Sequence, residues 1–247
     1  MTDPVYRTIL LFDIEQYGSR DDVEQAFLRR LLYDLVDTTL LAADVDETAR
    51  LRADRGDSVM ELIDTQVSVP ALVKTLLTET IALLHNKNRL IATSAQMRLR
   101  IVVSSGYVAV DELDGWVGSD LNHAVRLLNS DPLRDALKQR DGDCVLCVSD
   151  GIYQGVVRHG PLGVRPDDFH RITVETKEGP TVAWLHGDPG GAGSPAGSAD
   201  PRAASDAPTA AQRSETWVGG NLYGNTGGTH HGDQKFDFGG SEQGESR

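Results

Sequence analysis

Thr8-Ile-Leu-Leu-Phe-Asp-Ile14 is the stretch that decides the fold, because it is an apolar run that opens into a polar loop. Such a run predicts a buried β-strand with Asp13 near its end. A second aspartate, Asp57, follows forty-four residues later in Arg55-Gly-Asp-Ser-Val59. That segment predicts a tight turn between two short strands over 49–54 and 58–63. The sequence therefore places two carboxylates at strand ends.

A third polar element lies in Gly118-Ser-Asp-Leu-Asn-His-Ala-Val-Arg126, which has the pattern of a helix start. Asn122 and Arg126 are four residues apart, so a helix would carry them on one face. Each motif alone has an ordinary explanation as a turn or a solvated helix face. Together, two carboxylates and an Asn/Arg helix predict a site for divalent metal ions and a polyphosphate, since hard cations prefer oxygen ligands.

The remaining pattern predicts one α/β domain over residues 1–186. Apolar residues recur at helical spacing after Asp21 and again from Val69 to Leu84. Further strands are expected over 97–110, 144–149, 169–174 and 181–186, and further helices over 119–128, 132–138 and 150–157. Strands and helices interleave without a regular alternation, which favours a mixed sheet with helices on one face.

Composition excludes several classes of function. A net charge of −13 over 247 residues argues against a nonspecific nucleic-acid binder and against docking on an anionic membrane. No stretch approaches the apolar length of a membrane helix, and the start Met-Thr-Asp-Pro lacks a basic signal-peptide region. We therefore expect a cytoplasmic protein that binds neither nucleic acid nor membrane.

The two cysteines, Cys144 and Cys147, have C-x-x-C spacing on an apolar, strand-like run. This pair lacks a second cysteine pair or a nearby histidine, so we expect buried free thiols in a reducing cytosol. A redox or zinc role is the alternative.

The C-terminal quarter has a different composition. Of the 27 residues in 187–213, 20 are Gly, Pro, Ala or Ser, which predicts a flexible, disordered linker. Residues 214–247 form a tail with one Trp, one Tyr and two Phe among glycines. This tail is either a disordered end or a short docking element for a protein partner.

The chain resembles the catalytic domain of class III nucleotidyl cyclases, the adenylate and guanylate cyclases, as a divergent bacterial member. The resemblance covers roughly residues 6–186 and rests on Phe12-Asp13-Ile14 with Tyr17, Gly56-Asp57, and Asn122 with Arg126 after Gly118. It implies a ferredoxin-like mixed sheet with helices. It also implies a homodimer in which each site draws on both subunits.

The resemblance implies a role for each motif residue. Asp13, Asp57 and the Ile14 carbonyl would bind two Mg²⁺ or Mn²⁺ ions per site. Asn122 would orient the ribose, and Arg126 would stabilise charge on the phosphoryl oxygens. The remaining candidate is a triphosphate-binding lysine, Lys177.

Two positions depart from the family pattern. Adenylyl cyclases typically select adenine with a lysine and an aspartate where this chain has Ala53 and Gly115. Neighbouring polar residues could replace them after a one-residue shift, so we include Arg52, Arg55 and Asp114 as candidate substrate-binding residues. Adenine selectivity is unsupported. Guanine or a pyrimidine is equally open, and the pyrimidine case resembles cyclases of anti-phage signalling.

Three functions are compatible with these residues. The first is a metal-dependent cyclase that converts a nucleoside triphosphate into a 3′,5′-cyclic nucleotide and pyrophosphate, for bacterial signalling or anti-phage defence. The second is a non-catalytic nucleotide-sensing or scaffold domain that recruits partners through its tail. The third is a phosphotransfer or diguanylate-type palm domain. Such a domain would have a Gly-Gly-Asp/Glu-Glu-Phe turn, and this chain has Arg55-Gly-Asp-Ser58 instead.

Overall fold

Eight strands form one mixed sheet in the computed structural model, which describes residues 3–113 and 115–187. The sheet order is β2-β3-β1-β4-β6-β8-β7, and β5 pairs with β4 outside that path. Only β4 and β6 run parallel among these pairings, so the predicted mixed α+β fold is confirmed. The strands are β1 (Val5–Ile14), β2 (Arg50–Asp54), β3 (Ser58–Ile63), β4 (Leu99–Val110), β5 (Trp116–Val117), β6 (Cys144–Ser149), β7 (Phe169–Thr176) and β8 (Gly179–His186).

Helices cover both faces of the sheet, so the expectation of helices on one face is wrong. Four helices pack with one apolar cluster, which we call the first face, and α4 and α5 pack with a separate cluster on the second face. The first-face helices are α1 (Asp22–Ala42), α2 (Val69–Leu77), α3 (Glu79–Asn88) and α6 (Asp150–Gly155), and the second-face helices are α4 (Ser119–Leu128) and α5 (Asp131–Gln139).

Strand β1 explains why both faces need a cover. Leu10 and Phe12 belong to the first-face cluster, whereas Ile9 and Leu11 belong to the second, and all four are fully buried. Successive side chains of a strand point to opposite faces, so a continuous apolar run requires packing on each side. Burial of each such side chain contributes roughly 1.5–3 kcal/mol.

The predicted helix from Val69 to Leu84 is two helices in the structure. The chain leaves α2 at Thr78, whose dihedral angles are φ −118° and ψ −76°, and α3 begins at Glu79. The Thr78 hydroxyl donates a 2.9 Å hydrogen bond to the Lys74 carbonyl. Such side-chain bonds to the preceding turn often bend helices, and this one lies where the helix breaks.

The two cysteines are free thiols, as expected, and they lie on opposite faces of β6. Cys144 packs against the first-face cluster, and Cys147 belongs to the second-face cluster. The side chains therefore point apart, which leaves no geometry for a shared disulfide. Burial raises the pKa of Cys144 to about 11 and that of Cys147 to about 12.

We predict that both thiols react very slowly with Ellman's reagent in the folded protein at pH 8. With a pKa of about 11 or 12, on the order of one thiol in a thousand or fewer is a thiolate at that pH. Denaturant should release two rapidly reacting thiols per chain, the full cysteine count. A fast native reaction of even one thiol would contradict this assignment.

Several predictions fall outside the described residues. These are the linker over 187–213 apart from Gly187, the tail over 214–247 and the position of Asp114. The predicted domain boundary at residue 186 stays a prediction, although β8 ends at His186. Within 3–113 and 115–187, the structure has no helix of sufficient length and apolar character to cross a membrane.

Candidate functional site

Asp13 and Asp57 come together at the end of β1. Antiparallel pairing of β1 with β3 puts Asp13 opposite Ser58, the residue that follows Asp57. The backbone N–H of Ile14 donates a 3.0 Å hydrogen bond to the Asp57 carbonyl. The predicted hairpin therefore brings the two candidate metal ligands to one place, although their roles remain predictions.

The hairpin turn itself is held by other residues. Gly56 has φ +87°, a left-handed value that side chains disfavour. Its N–H donates a 2.8 Å hydrogen bond to Oδ1 of Asp54, and Asp54 also pairs with Arg29. The Asp57 side chain is only partly buried. The turn is thus closed by Asp54 and Gly56, and a ligand role for the Asp57 carboxylate stays a prediction.

Asp13 is 7% exposed, and its burial raises the pKa of its carboxyl to about 6. The guanidinium of Arg100 acts in the opposite direction, through its charge and its hydrogen bonds, and Arg134 adds a smaller lowering effect. The negative charge of Asp57 raises the pKa of Asp13 further. A like charge nearby disfavours the ionised form of Asp13 in this way.

Arg100 is the residue at this site that sequence reasoning missed. Pairing of β1 with β4 puts Arg100 directly opposite Asp13. Nε of Arg100 donates a 3.0 Å hydrogen bond to Oδ2 of Asp13, and Nη2 donates to the same oxygen. The alternation in Met97-Arg-Leu-Arg100 indicates that two arginines share one face, but it does not reveal the partner strand.

A small cationic cavity lies beside this ion pair. It measures about 160 Å³, and Arg100, Arg134 and Lys138 line it with Glu15 and Gln16. Three cationic side chains and one carboxylate give the cavity an excess of positive charge. Its chemistry suits an anion.

Asn122 and Arg126 lie on α4, as predicted, but Arg126 already has a partner. Its Nη2 donates a 2.7 Å hydrogen bond to Oε1 of Glu178, and its Nη1 contacts Oε2. These hydrogen bonds raise the pKa of Arg126 and lower that of Glu178. Lys177 is the exposed neighbour of Glu178 in the turn between β7 and β8. We call Asn122, Arg126 and Lys177 the second polar group, because Arg126 pairs with Glu178 and Lys177 is the neighbour of Glu178 in the chain.

The two polar groups lie at opposite ends of the sheet. Asp13 is level with Arg100 on β4. Ala183 of β8 is level with Ser149, and β8 runs back to Gly179 beyond that point. When the strand register is followed from β4 through β6 to β8, the turn that carries Lys177 lies about eight residues beyond the level of Asp13. At the rise of a β-strand this separation is on the order of 25 Å. One chain therefore cannot bring both groups to one nucleotide.

The candidate base-binding residues have mixed placements. Arg52 pairs with Glu61 and Asp37, and its guanidinium lies 5.1 Å from the centre of the Tyr33 ring. Those contacts lie on the first face, under α1, so Arg52 would need new partners to bind a base. Arg55 is exposed in the turn that carries Asp57. Both assignments remain predictions.

Gly115 stands where adenylyl cyclases typically have the adenine-selecting aspartate, and it closes a tight loop after β4. Its N–H donates a 2.7 Å hydrogen bond to Oδ1 of Asp111, and its carbonyl accepts from the Asp111 N–H. A Cβ at this position would come within 2.5 Å of the Asp111 carboxylate. An aspartate could not replace Gly115 without rearranging this loop.

The donor set fits a metal ion that shares its coordination with a substrate. Within the described ranges, no three His, Cys, Asp or Glu side chains are grouped to hold a metal on their own. Mg²⁺ typically binds through one or two carboxylates plus substrate phosphates and water. Asp13, Asp57 and the Ile14 carbonyl match that requirement, provided that Arg100 gives up Oδ2 of Asp13.

Comparison with solved structures identifies the fold as that of nucleotidyl cyclase domains. The chain superposes on an adenylate/guanylate cyclase/hydrolase from Silicibacter pomeroyi with a TM-score of 0.54 and 17% identity, covering 76% of this chain and 99% of that one. It matches a bacterial light-regulated adenylyl cyclase with a TM-score of 0.52 and 16% identity, covering 75% and 91%. It also matches the guanylyl cyclase Cya2 with a TM-score of 0.51 and 16% identity, covering 74% and 92%.

No protein-family model matches the sequence, and no curated protein does either. At 16–17% identity the structural likeness shows the fold alone. The cyclase-like fold is therefore shown, and the chemistry has to be argued from the site.

Proposed function

We propose that this protein is a homodimeric, metal-dependent nucleotidyl cyclase of the bacterial cytoplasm. It would convert a nucleoside triphosphate into a 3′,5′-cyclic nucleotide and pyrophosphate. One observation carries the proposal: two complementary polar groups lie at opposite ends of one sheet with a cyclase fold. Two copies arranged head to tail would join the Asp13 and Asp57 group of one chain to the Asn122, Arg126 and Lys177 group of the other.

The reaction requires few parts from the protein. The ribose 3′-oxygen attacks the α-phosphorus, a new O–P bond forms, and the bond to the departing pyrophosphate breaks. Two Mg²⁺ or Mn²⁺ ions, held by Asp13, Asp57 and the Ile14 carbonyl, would supply the charge that activates the hydroxyl and neutralises the triphosphate.

The second chain would contribute positioning and charge. Asn122 orients the ribose through its amide, which can both donate and accept hydrogen bonds. Arg126 exchanges Glu178 for the phosphoryl oxygens as negative charge develops on them. The pair with Glu178 is exposed, so solvent screens it and its exchange for another anion costs little. Lys177 binds the triphosphate as a point charge.

Base selection would involve residues near the second metal ligand. Arg55 is exposed beside Asp57, and a guanidinium can donate to the oxygen and nitrogen acceptors of guanine. Arg52 and Asp114 are the other candidates. Guanine and pyrimidine triphosphates are therefore included with ATP as substrates to be tested.

A non-catalytic nucleotide-sensing or scaffold domain is the second candidate function. Two contacts favour it: Arg100 holds Asp13, and Glu178 holds Arg126. Both site charges are thus neutralised within the free chain. In this case the tail over 214–247 would recruit a protein partner, in signalling or anti-phage defence, and the linker over 187–213 would separate it from the domain over 1–186.

Incubation with each of the four ribonucleoside triphosphates and Mn²⁺ tests the proposal. We expect mass spectrometry to detect a 3′,5′-cyclic product and an equal amount of pyrophosphate from at least one of them. An Asp13→Asn, Asp57→Asn variant of the same chain is the control for contaminating cyclases. Nucleotide binding without any cyclic product would exclude the enzyme and support the scaffold.

A further inference from the structure

Asp13 and Arg100 form a largely buried ion pair inside the candidate metal site. The side chain of Asp13 is 10% exposed and that of Arg100 is 12% exposed. Two nitrogens of the guanidinium donate to the same carboxylate oxygen, Oδ2, at the point where β1 and β4 are paired. Charge-assisted contacts of this kind are about twice as strong as neutral hydrogen bonds.

A divalent cation and Arg100 compete for the same carboxylate. A cation bound to Oδ2 would displace the guanidinium nitrogens, and a cation bound elsewhere on Asp13 would still face a fixed positive charge nearby. At such distances the repulsion between cations is substantial even with partial solvent screening. Metal binding to Asp13 and Asp57 is therefore opposed by a cation that belongs to the protein.

Displacement of Arg100 creates a second requirement. A guanidinium stays charged at any pH at which the protein is folded, and a buried charge without a partner is costly. The adjacent cavity offers Arg134 and Lys138, which are also cations, and a single carboxylate from Glu15. Arg98 already pairs with Glu15. An incoming anion would supply the negative charge that the displaced Arg100 needs.

We propose that Arg100 is a built-in counter-cation of Asp13 that makes divalent metal binding conditional on an anion in the neighbouring cavity. The metal alone would bind weakly, because it must expel Arg100 into a cationic cavity. An anion in that cavity draws Arg100 away and exposes Asp13 to the metal. Because such coupling is reciprocal, the metal raises the affinity for the anion by the same factor. This inference rests on the metal site of the proposed function.

The test compares Mn²⁺ binding to the full-length protein and to its Arg100→Gln variant. Free Mn²⁺ is measured by electron paramagnetic resonance in sodium sulfate and in sodium chloride of equal ionic strength. Sulfate is a divalent oxyanion that fits an anion cavity. We expect wild type to bind Mn²⁺ several-fold more tightly in sulfate than in chloride. R100Q should bind it roughly tenfold more tightly than wild type in chloride, the equivalent of one charge-assisted hydrogen bond, with little further gain in sulfate.

Two further variants make the result specific. Arg7→Gln removes another arginine–aspartate pair, between Arg7 of β1 and Asp64, and it should leave Mn²⁺ affinity unchanged. Arg100→Lys keeps the charge but loses the forked donor, so it should show a smaller gain in chloride. If the circular dichroism spectrum of R100Q differs from that of wild type, R100K replaces it in the comparison with wild type.

The outcomes separate this inference from the proposed function. Wild type that binds Mn²⁺ in chloride as tightly as R100Q and R100K would overturn the role of Arg100 and leave the metal site standing. An equal gain from R7Q would overturn it as well, because the effect would then be one of net charge. No Mn²⁺ binding by any of the proteins, even with nucleoside triphosphates present, would overturn both.

Discussion

Replacing Asp57 with alanine is expected to abolish metal-dependent nucleotide binding and leave the fold intact. Loss of even an outer-shell partner of a metal costs roughly 10–100-fold in affinity, so loss of a direct ligand should cost on the order of 100-fold or more. The apo protein should be unchanged or slightly more stable, because Asp57 repels the buried Asp13. Isothermal titration with Mn²⁺ and nucleotide, and thermal unfolding, measure the two effects.

Asp54→Ala is the matched control, since Asp54 lies in the same turn, three residues earlier. Its carboxylate accepts from the Gly56 N–H and pairs with Arg29, so its removal should lower stability by about 1 kcal/mol. In a domain of this size that corresponds to roughly 2–4 °C in Tm. Nucleotide binding should survive in D54A. The opposite pattern, with D57A unstable and D54A unable to bind, would make Asp57 a turn residue.

Mixing a D57A chain with an Arg126→Ala chain is expected to restore part of the activity that each lacks alone. In a head-to-tail dimer, one of the two sites of a mixed pair combines the intact Arg126 of one chain with the intact Asp57 of the other. Random exchange makes half of the dimers mixed, and each has one intact site of two, so about a quarter of wild-type turnover should return. Cyclic product formation after subunit exchange measures it.

A mixture of D57A with Asp13→Ala provides the control for this rescue. Both changes fall on the same polar group, so each site of a mixed dimer lacks one carboxylate and no activity should return. Rescue by this mixture would show that the recovered activity does not come from a site shared between two chains. If D57A and R126A chains form mixed dimers without any activity, the shared-site geometry is wrong.

The sequence predicted those parts of the molecule in which short-range patterns carry the information. The hairpin around Gly56 is confirmed at residue level, with β2 ending at Asp54 and β3 beginning at Ser58. The helix from Ser119 to Leu128 also has the predicted bounds. Turn chemistry and helical periodicity are local properties, so one sequence is enough to recognise them.

Contacts between distant segments could not be predicted in the same way. Arg100 lies opposite Asp13 only because β1 and β4 pair in a particular register across eighty-seven residues, and a shift of one residue would put Arg100 on the other face. The Arg126–Glu178 pair likewise depends on how the β7–β8 turn meets α4. The continuous apolar run of β1 requires a cover on both faces, but it does not reveal how many helices will reach each side.

The central position of β1 has a consequence for synthesis of the chain. The ribosome makes this strand before both of its neighbours, and β4 begins only at Leu99. At about 5–20 residues per second, the run from Ile9 to Phe12 waits on the order of 5–20 s for that neighbour. During that interval the edge of β1 that pairs with β4 stays open, and an apolar β-segment with an open edge is prone to aggregate. Translation of this protein should therefore depend on chaperones that bind the emerging β1 segment until β4 arrives.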